Sequence, residues 1–146
     1  MEYLGELTSG AVIGVEEDLR ITLQSGALTI FGPTFSPESN ENSLCILFEG
    51  EKCAILVTGD RSRSGELLLI RDYALPQVDL LLAGHHGSGS STCRELLEAV
   101  EPETVFISVG RDNAYGHPAG ETLKRLEEFG CRVYRTDLQG TLIFRR

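Results

Sequence analysis

The sequence predicts an α/β (α+β sandwich) chain with a mixed sheet and helices packed on one face. Residues 1–57 carry short apolar alternations broken by turn residues, which is typical of antiparallel strands. From residue 58 onward, helical patterns alternate with short runs of valine, isoleucine and leucine, which is typical of β-α-β units. The length of 146 residues suits one core. We therefore expect a single domain over 1–146, mainly β over 1–57 and β-α-β over 58–146.

The first part of the chain predicts five strands. Gln24-Ser25-Gly26 and Glu49-Gly50-Glu51-Lys52 are rich in turn residues, so we expect hairpins there. The segment 32–42, with two prolines and two asparagines, predicts a loop. The predicted strands are Ala11–Val15, Leu19–Leu23, Ala27–Phe31, Ser43–Glu49 and Lys52–Thr58.

The second part predicts three helices alternating with strands. Thr92 with Glu95 fits a capping box, and Pro118 suits a first helical position. Gly130 predicts a left-handed helix stop. The predicted helices are Ser64–Arg71, Thr92–Val100 and Pro118–Phe129, and the predicted strands are Val78–Ala83, Thr104–Val109, Arg132–Arg135 and Thr141–Phe144.

Charge and composition narrow the classes of function. A net charge of −9 argues against sequence-independent binding to phosphate backbones. The basic residues Arg132, Arg135, Arg145 and Arg146 are interpreted as a solvated strand edge rather than a nucleic-acid patch. The four cysteines lack C-x-x-C spacing and are expected to be free, mostly buried thiols. No apolar run approaches the roughly 20 residues of a membrane span and no export signal is visible, so the sequence alone predicts a cytoplasmic chain.

Residues with catalytic potential follow the predicted strands directly. Asp60 comes after one apolar strand, the adjacent His85 and His86 after the next, and His117 at the end of a polar loop after a third. Because open α/β sheets place their sites at the carboxyl ends of strands, we expect these side chains to meet in one pocket. Spacing alone leaves two interpretations open, a metal or phosphate site and a set of turns and caps.

The adjacent histidines are informative in a second way. Along an extended chain, neighbouring side chains point to opposite sides. We therefore expect one imidazole to face a metal ion, while the other hydrogen-bonds a backbone group or a substrate. The helix that follows His117 favours anions at its N-terminus.

These motifs, taken in order, resemble a known family. The chain is similar, from about Ile30 to Phe144, to the metallo-β-lactamase-fold domain at the C-terminus of ComEC-type DNA-internalisation (competence) proteins, and specifically to the C-terminal part of that fold. The matching pieces are Asn42-Ser43-Leu44, Leu56-Val57-Thr58-Gly59-Asp60 with Glu66, Gly84-His85-His86-Gly87-Ser88, Ile107-Ser108-Val109-Gly110, Asn113-Ala114-Tyr115-Gly116-His117-Pro118, and Tyr134-Arg135-Thr136-Asp137 with Gly140.

The resemblance implies a two-metal hydrolase that cleaves phosphodiesters or nucleic acid with zinc or manganese. It implies Asp60 as a bridging ligand and His86 as a ligand of one metal. It also implies catalytic roles for His85 and His117 and substrate contacts from Ser88, Asn113, Tyr115 and His117. A parent protein of this type would be membrane-associated, although this chain contains no membrane segment of its own.

One departure from the family pattern limits the expected activity. Enzymes of this fold carry an H-x-H-x-D-H or related motif before the bridging aspartate, whereas residues 1–59 contain no histidine. We therefore expect a hydrolase that is incomplete or inactive alone, and the alternative is a non-catalytic structural or partner-binding remnant of the fold. With half of the fold missing, an apolar sheet face would be uncovered, so we also expect self-association.

Overall fold

A computed structural model describes residues 14–145 and contains a seven-stranded mixed sheet. The strands lie in the sheet in the same order as in the chain. They are β1 (Leu19–Leu23), β2 (Gly26–Phe31), β3 (Cys45–Gly50), β4 (Ala54–Val57), β5 (Leu80–Leu82), β6 (Thr104–Ile107) and β7 (Arg132–Arg135). The helices are α1 (Arg63–Asp72), α2 (Arg94–Val100), α3 (Gly120–Phe129) and α4 (Thr136–Gln139).

The sheet changes from antiparallel to parallel at β4. Strands β1 to β4 pair antiparallel through short turns, and β4 to β7 pair parallel through connections that contain helices. Parallel neighbours need such crossovers because each strand must return to the same starting edge. The predicted mixed sheet is thus confirmed, whereas the division of the chain into a mainly β part over 1–57 and a β-α-β part over 58–146 stays a prediction.

The helices α1, α2 and α3 pack on one face of the sheet, as the sequence predicted. Leucines of these three helices share a buried cluster with one row of strand residues. That row runs across five neighbouring strands, because the register places Leu47, Leu56, Leu81, Val105 and Val133 side by side.

The opposite face carries a second apolar row. The same registers align Ile46, Val57, Leu82, Phe106 and Tyr134 across five strands. These side chains are half-buried or, at Tyr134, 38% exposed. The C-terminal segment packs against this row. There the rings of Phe144 and Phe106 meet edge to face, with their centroids 6.4 Å apart.

The same C-terminal segment corrects one predicted strand. Residues 141–144 form no strand, because after α4 Gly140 adopts φ 73° and ψ −133° and the chain crosses the sheet face instead of joining its edge. The predicted strand Ala11–Val15 falls mostly outside the described residues, and Gly14 and Val15 are not in a strand.

Two predicted helix starts are also wrong. The helix after His117 begins at Gly120 with Ala119 as its extended N-cap, so Pro118 precedes the helix and does not open it. The helix α2 begins at Arg94 and not at Thr92. Gly130 does end α3 in the left-handed conformation, at φ 90°, and its N–H donates to the carbonyls of Leu126 and Glu127.

Candidate functional site

Three loops meet at the edge of the sheet where the parallel strands end. The loop after β4 carries Asp60, the loop after β5 carries the paired histidines, and the loop after β6 carries His117. The backbone N–H of His85 donates to the carbonyl of Gly59 at 2.9 Å, which ties the first two loops together. The carbonyl of Gly87 accepts from the N–H of Ala119 at 2.9 Å, which ties the second loop to the third.

The histidine loop is a tight turn and is not extended. His85 (φ 47°, ψ 47°) and His86 (φ 57°, ψ 24°) both adopt the left-handed conformation within the short 3-10 segment Gly84–Gly87. The extended conformation from which opposite orientations were predicted is therefore wrong, although one imidazole, that of His86, does bond a backbone carbonyl as expected. Side chains other than glycine rarely adopt this conformation, and clusters of them occur where the surrounding structure enforces a functional geometry.

The turn brings the three imidazoles into one row. The ring of His85 lies 6.4 Å from that of His86 and 5.7 Å from that of His117, measured between centroids. Tyr115 extends the row, because its ring stacks on His117 at 5.9 Å with an interplanar angle of 18°. These ring contacts bring His85, His86 and His117 together, whereas the expectation that Asp60 meets them in one pocket stays a prediction.

His86 has a defined orientation. Its Nδ1 lies 2.8 Å from the carbonyl oxygen of Ser108. Because a carbonyl can only accept, Nδ1 carries the proton and donates, and the Nε2 of the neutral ring keeps its lone pair. Metal-binding histidines are oriented by just such a bond to a backbone carbonyl. The side chain is exposed, so Nε2 is accessible from solvent.

The chain's own donors do not complete a metal site. Across residues 14–145, no group of three or more histidine, cysteine, aspartate or glutamate side chains is arranged to hold a metal ion. A catalytic metal needs about three protein ligands. The donor set of Asp60 and His86 is chemically suitable for zinc or manganese but is too small alone, so the predicted two-metal cage does not fit this chain by itself.

The loop after β6 is braced by Asn113. Its side-chain amide donates to the carbonyls of Gly110 at 3.0 Å and His117 at 2.6 Å, and its Oδ1 accepts from the N–H of His117 at 3.0 Å. These bonds fix the position of His117, which the sequence did not predict. Tyr115 is 83% exposed at the outer end of the ring row. The substrate contacts expected from Asn113 and Tyr115 stay predictions.

Ser88 lies at the end of the histidine turn and is nearly buried. Its hydroxyl lies 3.1 Å from that of Ser90, and its carbonyl accepts from the Thr122 hydroxyl at 2.8 Å. The substrate contact expected from Ser88 also stays a prediction.

A buried carboxylate replaces the predicted capping box of α2. Glu66 of α1 is fully buried and accepts from the N–H groups of Thr92 at 2.6 Å and Cys93 at 2.7 Å. Burial raises the pKa of Glu66, and the two N–H donors act in the opposite direction. Glu95, the other half of the predicted box, instead forms an ion pair with Arg63.

The carbonyl side of the same segment is held by a cation. The Arg125 guanidinium of α3 donates to the carbonyls of Ser91 and Thr92, both at 2.9 Å, and of Gly89 at 3.3 Å. Sequence reasoning missed Arg125, because an arginine in a helix with charged neighbours reads as a solvated residue.

Two of the four basic residues, Arg132 and Arg135, are paired with acids. Arg132 lies 3.2 Å from Glu103, and Arg135 makes two bonds to Asp137 at 3.0 and 2.6 Å. The hydrogen bonds from Arg135 lower the pKa of Asp137. This pairing supports the interpretation as a solvated edge; Arg146 lies outside the described residues. No helix within residues 14–145 is long and apolar enough to cross a membrane.

Comparison with known proteins finds relatives by sequence, although no family model matches the chain. The ComE operon protein 3 of Bacillus subtilis is 36% identical over 106 residues, covering 73% of this chain and 14% of that protein. The competence protein ComA of Neisseria gonorrhoeae is 38% identical over 110 residues, covering 73% and 16%. Recombination protein 2 of Haemophilus influenzae is 36% identical over 101 residues, covering 69% and 13%. The chain thus spans about one seventh of these relatives' length.

A solved structure has a similar fold. A mutant of the CmlA beta-hydroxylase superposes with a TM-score of 0.60 at 11% identity, covering 92% of this chain and 34% of that one. At this identity the likeness shows the fold alone, which is of the metallo-β-lactamase type.

Proposed function

Since this chain is a homologue of one segment of the ComEC-type competence proteins and has a metallo-β-lactamase fold, we propose that it carries part of the active site of a metal-dependent phosphodiesterase or nuclease. The observation that carries the proposal is the row of imidazoles at the carboxyl edge of the parallel strands. Because the donors of this chain are too few for a metal cage, further ligands come from another segment of the parent protein or from a partner chain.

In this proposal each of the four site residues has a defined role. Asp60 and His86 are metal ligands, and the bond from His86 Nδ1 to Ser108 leaves Nε2 as the donor atom. A zinc or manganese ion held there, with further ligands from outside this chain, would supply Lewis acidity toward a phosphodiester. His117 and His85 hold or transfer a proton at the phosphodiester oxygens.

The substrate class is a phosphodiester, and the ring row favours a nucleic acid. The exposed Tyr115 ring, stacked on His117, resembles the aromatic platforms on which unpaired bases stack. With a net charge of −9, the chain does not offer an overall basic surface for phosphate groups. Stacking of bases on an aromatic ring does not require such a surface. Membership of a larger, membrane-associated protein is part of the same proposal.

The proposal is tested on a longer protein in which this chain is joined to the upstream region of a competence relative. With manganese or zinc, we expect it to cleave single-stranded DNA and a model phosphodiester. Asp60→Ala and His86→Ala should each lower the rate by ~100-fold or more, because each removes a ligand. Asp112→Asn removes the charge of an exposed loop aspartate but keeps a side chain that tolerates its φ of 53°, so it serves as the matched control, with an unchanged rate. A folded longer protein that leaves both substrates intact contradicts the proposal.

A second candidate function is a non-catalytic module that binds a partner through the same fold. It is favoured by the lack of a three-donor metal group within residues 14–145 and by the many backbone bonds that brace the histidine turn. Calorimetry on the 146-residue chain tests this second candidate. Tight binding of zinc or manganese that Asp60→Ala or His86→Ala abolishes would contradict this second candidate.

A further inference from the structure

The buried carboxylate of Glu66 has no evident role in packing, yet it lies beside the histidine turn. Its residue is 0% exposed, and its two oxygens accept short bonds from the consecutive N–H groups of Thr92 and Cys93. A buried carboxylate is costly unless its oxygens are satisfied, so these bonds define where the backbone at 92–93 must lie.

Thr92 is held in a conformation that its own side chain disfavours. Its φ of 53° lies in the left-handed region, which is a marked outlier for a β-branched residue. The N–H of Thr92 is fixed by Glu66, and its carbonyl is fixed by Arg125 at 2.9 Å. Glu66 therefore holds the N–H of Thr92, and Arg125 holds its carbonyl.

The constrained threonine in turn contacts the start of the histidine turn. The Thr92 hydroxyl accepts from the N–H of Gly84 at 3.0 Å, in a fully buried position. Gly84 has no room for a side chain, since a Cβ there would lie 3.1 Å from Glu66 Oε1 and 2.9 Å from Thr58 Oγ1, so the backbone of the turn lies directly against Glu66 and Thr58. The next two residues after Gly84 are His85 and His86 in their left-handed conformations.

We propose that Glu66 is a positioning residue, which sets the orientation of the His85–His86 turn through Thr92 and Gly84. It deepens the proposed function, because it assigns a role to a group that need not touch metal or substrate. If Glu66 only capped α2, the bond from the Gly84 N–H to the Thr92 hydroxyl would survive removal of the Glu66 carboxylate, whereas a positioning role predicts that this bond weakens.

The test compares Glu66→Gln with Glu95→Gln, its matched control. The control removes a carboxylate from the neighbouring helix α2, where Glu95 pairs with Arg63 near the surface. A glutamine at 66 has one acceptor oxygen in place of two, so it loses one backbone bond. We expect the Gly84 amide to exchange with solvent at least ~10-fold faster in Glu66→Gln and at the original rate in Glu95→Gln.

A spectroscopic readout distinguishes positioning from a general loss of stability. The imidazole ¹⁵N signals of His86 report its Nδ1-protonated tautomer, which the bond to Ser108 selects. In a folded Glu66→Gln protein we expect these signals to shift toward a tautomer mixture. A folded variant with the His86 signals and the Gly84 exchange both unchanged would overturn the proposal.

Substitutions at Thr92 keep the proposal testable if Glu66→Gln does not fold. Thr92→Ser keeps the hydroxyl that accepts from Gly84, whereas Thr92→Val has the same shape without it. We expect faster Gly84 exchange and altered His86 signals in Thr92→Val alone. Equal behaviour of the two variants would contradict the proposal that Glu66 positions the histidine turn through Thr92 and Gly84. These measurements use no metal and no substrate, so a negative result would leave the proposed function unaffected. A negative result in the cleavage test would likewise leave the positioning role of Glu66 unaffected.

Discussion

At the scale of single residues, burial lowers the reactivity of two of the four free cysteines. Cys45 and Cys93 are buried, and burial raises the pKa of each thiol to about 12. Since the thiolate is the reactive form, both should resist alkylation near neutral pH. Cys53 lies half-buried between β3 and β4 and is more accessible.

Alkylation kinetics measure this difference directly. We expect iodoacetamide to modify Cys45 and Cys93 ~100-fold or more slowly in the native protein than in urea, as followed by peptide mass spectrometry. The same two cysteines in the unfolded chain are the control. Native labelling of Cys45 at its unfolded rate would show that the core opens readily around β3.

The sequence predicted that the histidine loops meet at one edge of the sheet, but not the geometry with which they meet. The rule that parallel strands end at one edge correctly gathered His85, His86 and His117 from two loops. The left-handed backbone of the two adjacent histidines has no signature in the sequence, since it is imposed by contacts from other loops. One signal was available for Glu66, because a charged residue three positions before the buried Leu69 lies on the apolar face of α1.

At the scale of elements, the end of α3 depends on the conformation of Gly130. Its φ of 90° is costly for any residue with a Cβ, although no neighbouring atom lies within 4 Å of the place where a Cβ would be. The penalty of a substitution there is consequently one of backbone conformation and not of crowding. We expect Gly130→Ala to lower the free energy of unfolding by ~1 kcal/mol.

A glycine at the other end of the same helix is the matched control. Gly120 opens α3 and also has no atom within 4 Å of its ideal Cβ, but it does not require a positive φ. Gly120→Ala should leave stability equal or slightly higher, because alanine favours helix. Urea denaturation of both variants measures the difference, and equal effects would refute the role given to the left-handed cap.

The errors in element boundaries share a physical cause. The start of α2 was predicted from a local capping box, but a carboxylate from α1 binds the same N–H groups and Glu95 pairs with Arg63 instead. Residues 141–144 alternate like a strand, yet Phe144 packs on Phe106 across the sheet face. In both places a contact between distant segments overrode the local pattern, whereas the hairpins and β5 to β7, set by local turns and apolar runs, were predicted correctly.

At the scale of the whole molecule, the second apolar row of the sheet supports the self-association expected from the sequence. The row of Ile46, Val57, Leu82, Phe106 and Tyr134 contains no charged side chain. A two-fold axis would place the same uncharged row of a second copy against it without bringing like charges together. We expect sedimentation equilibrium to show a dimer whose population grows with concentration.

A substitution at Tyr134, the exposed end of this row, tests the expected dimer without changing a core residue. Tyr134 is 38% exposed, so Tyr134→Lys should fold normally and shift the equilibrium toward monomer, because a lysine would be buried in the contact. Tyr115→Lys, at an exposed tyrosine outside the row, is the control and should leave the dimer unchanged. A wild-type chain that stays monomeric at high concentration would contradict self-association.

The sequential order of the seven strands has a consequence for synthesis. Within residues 14–145, every strand after β1 pairs with the strand that precedes it. During translation, each newly emerged strand therefore finds an already formed edge to join, and no pairing waits for a segment made much later. Such an order shortens the loops that must close at each step, so the nascent sheet can lengthen one strand at a time beside the ribosome.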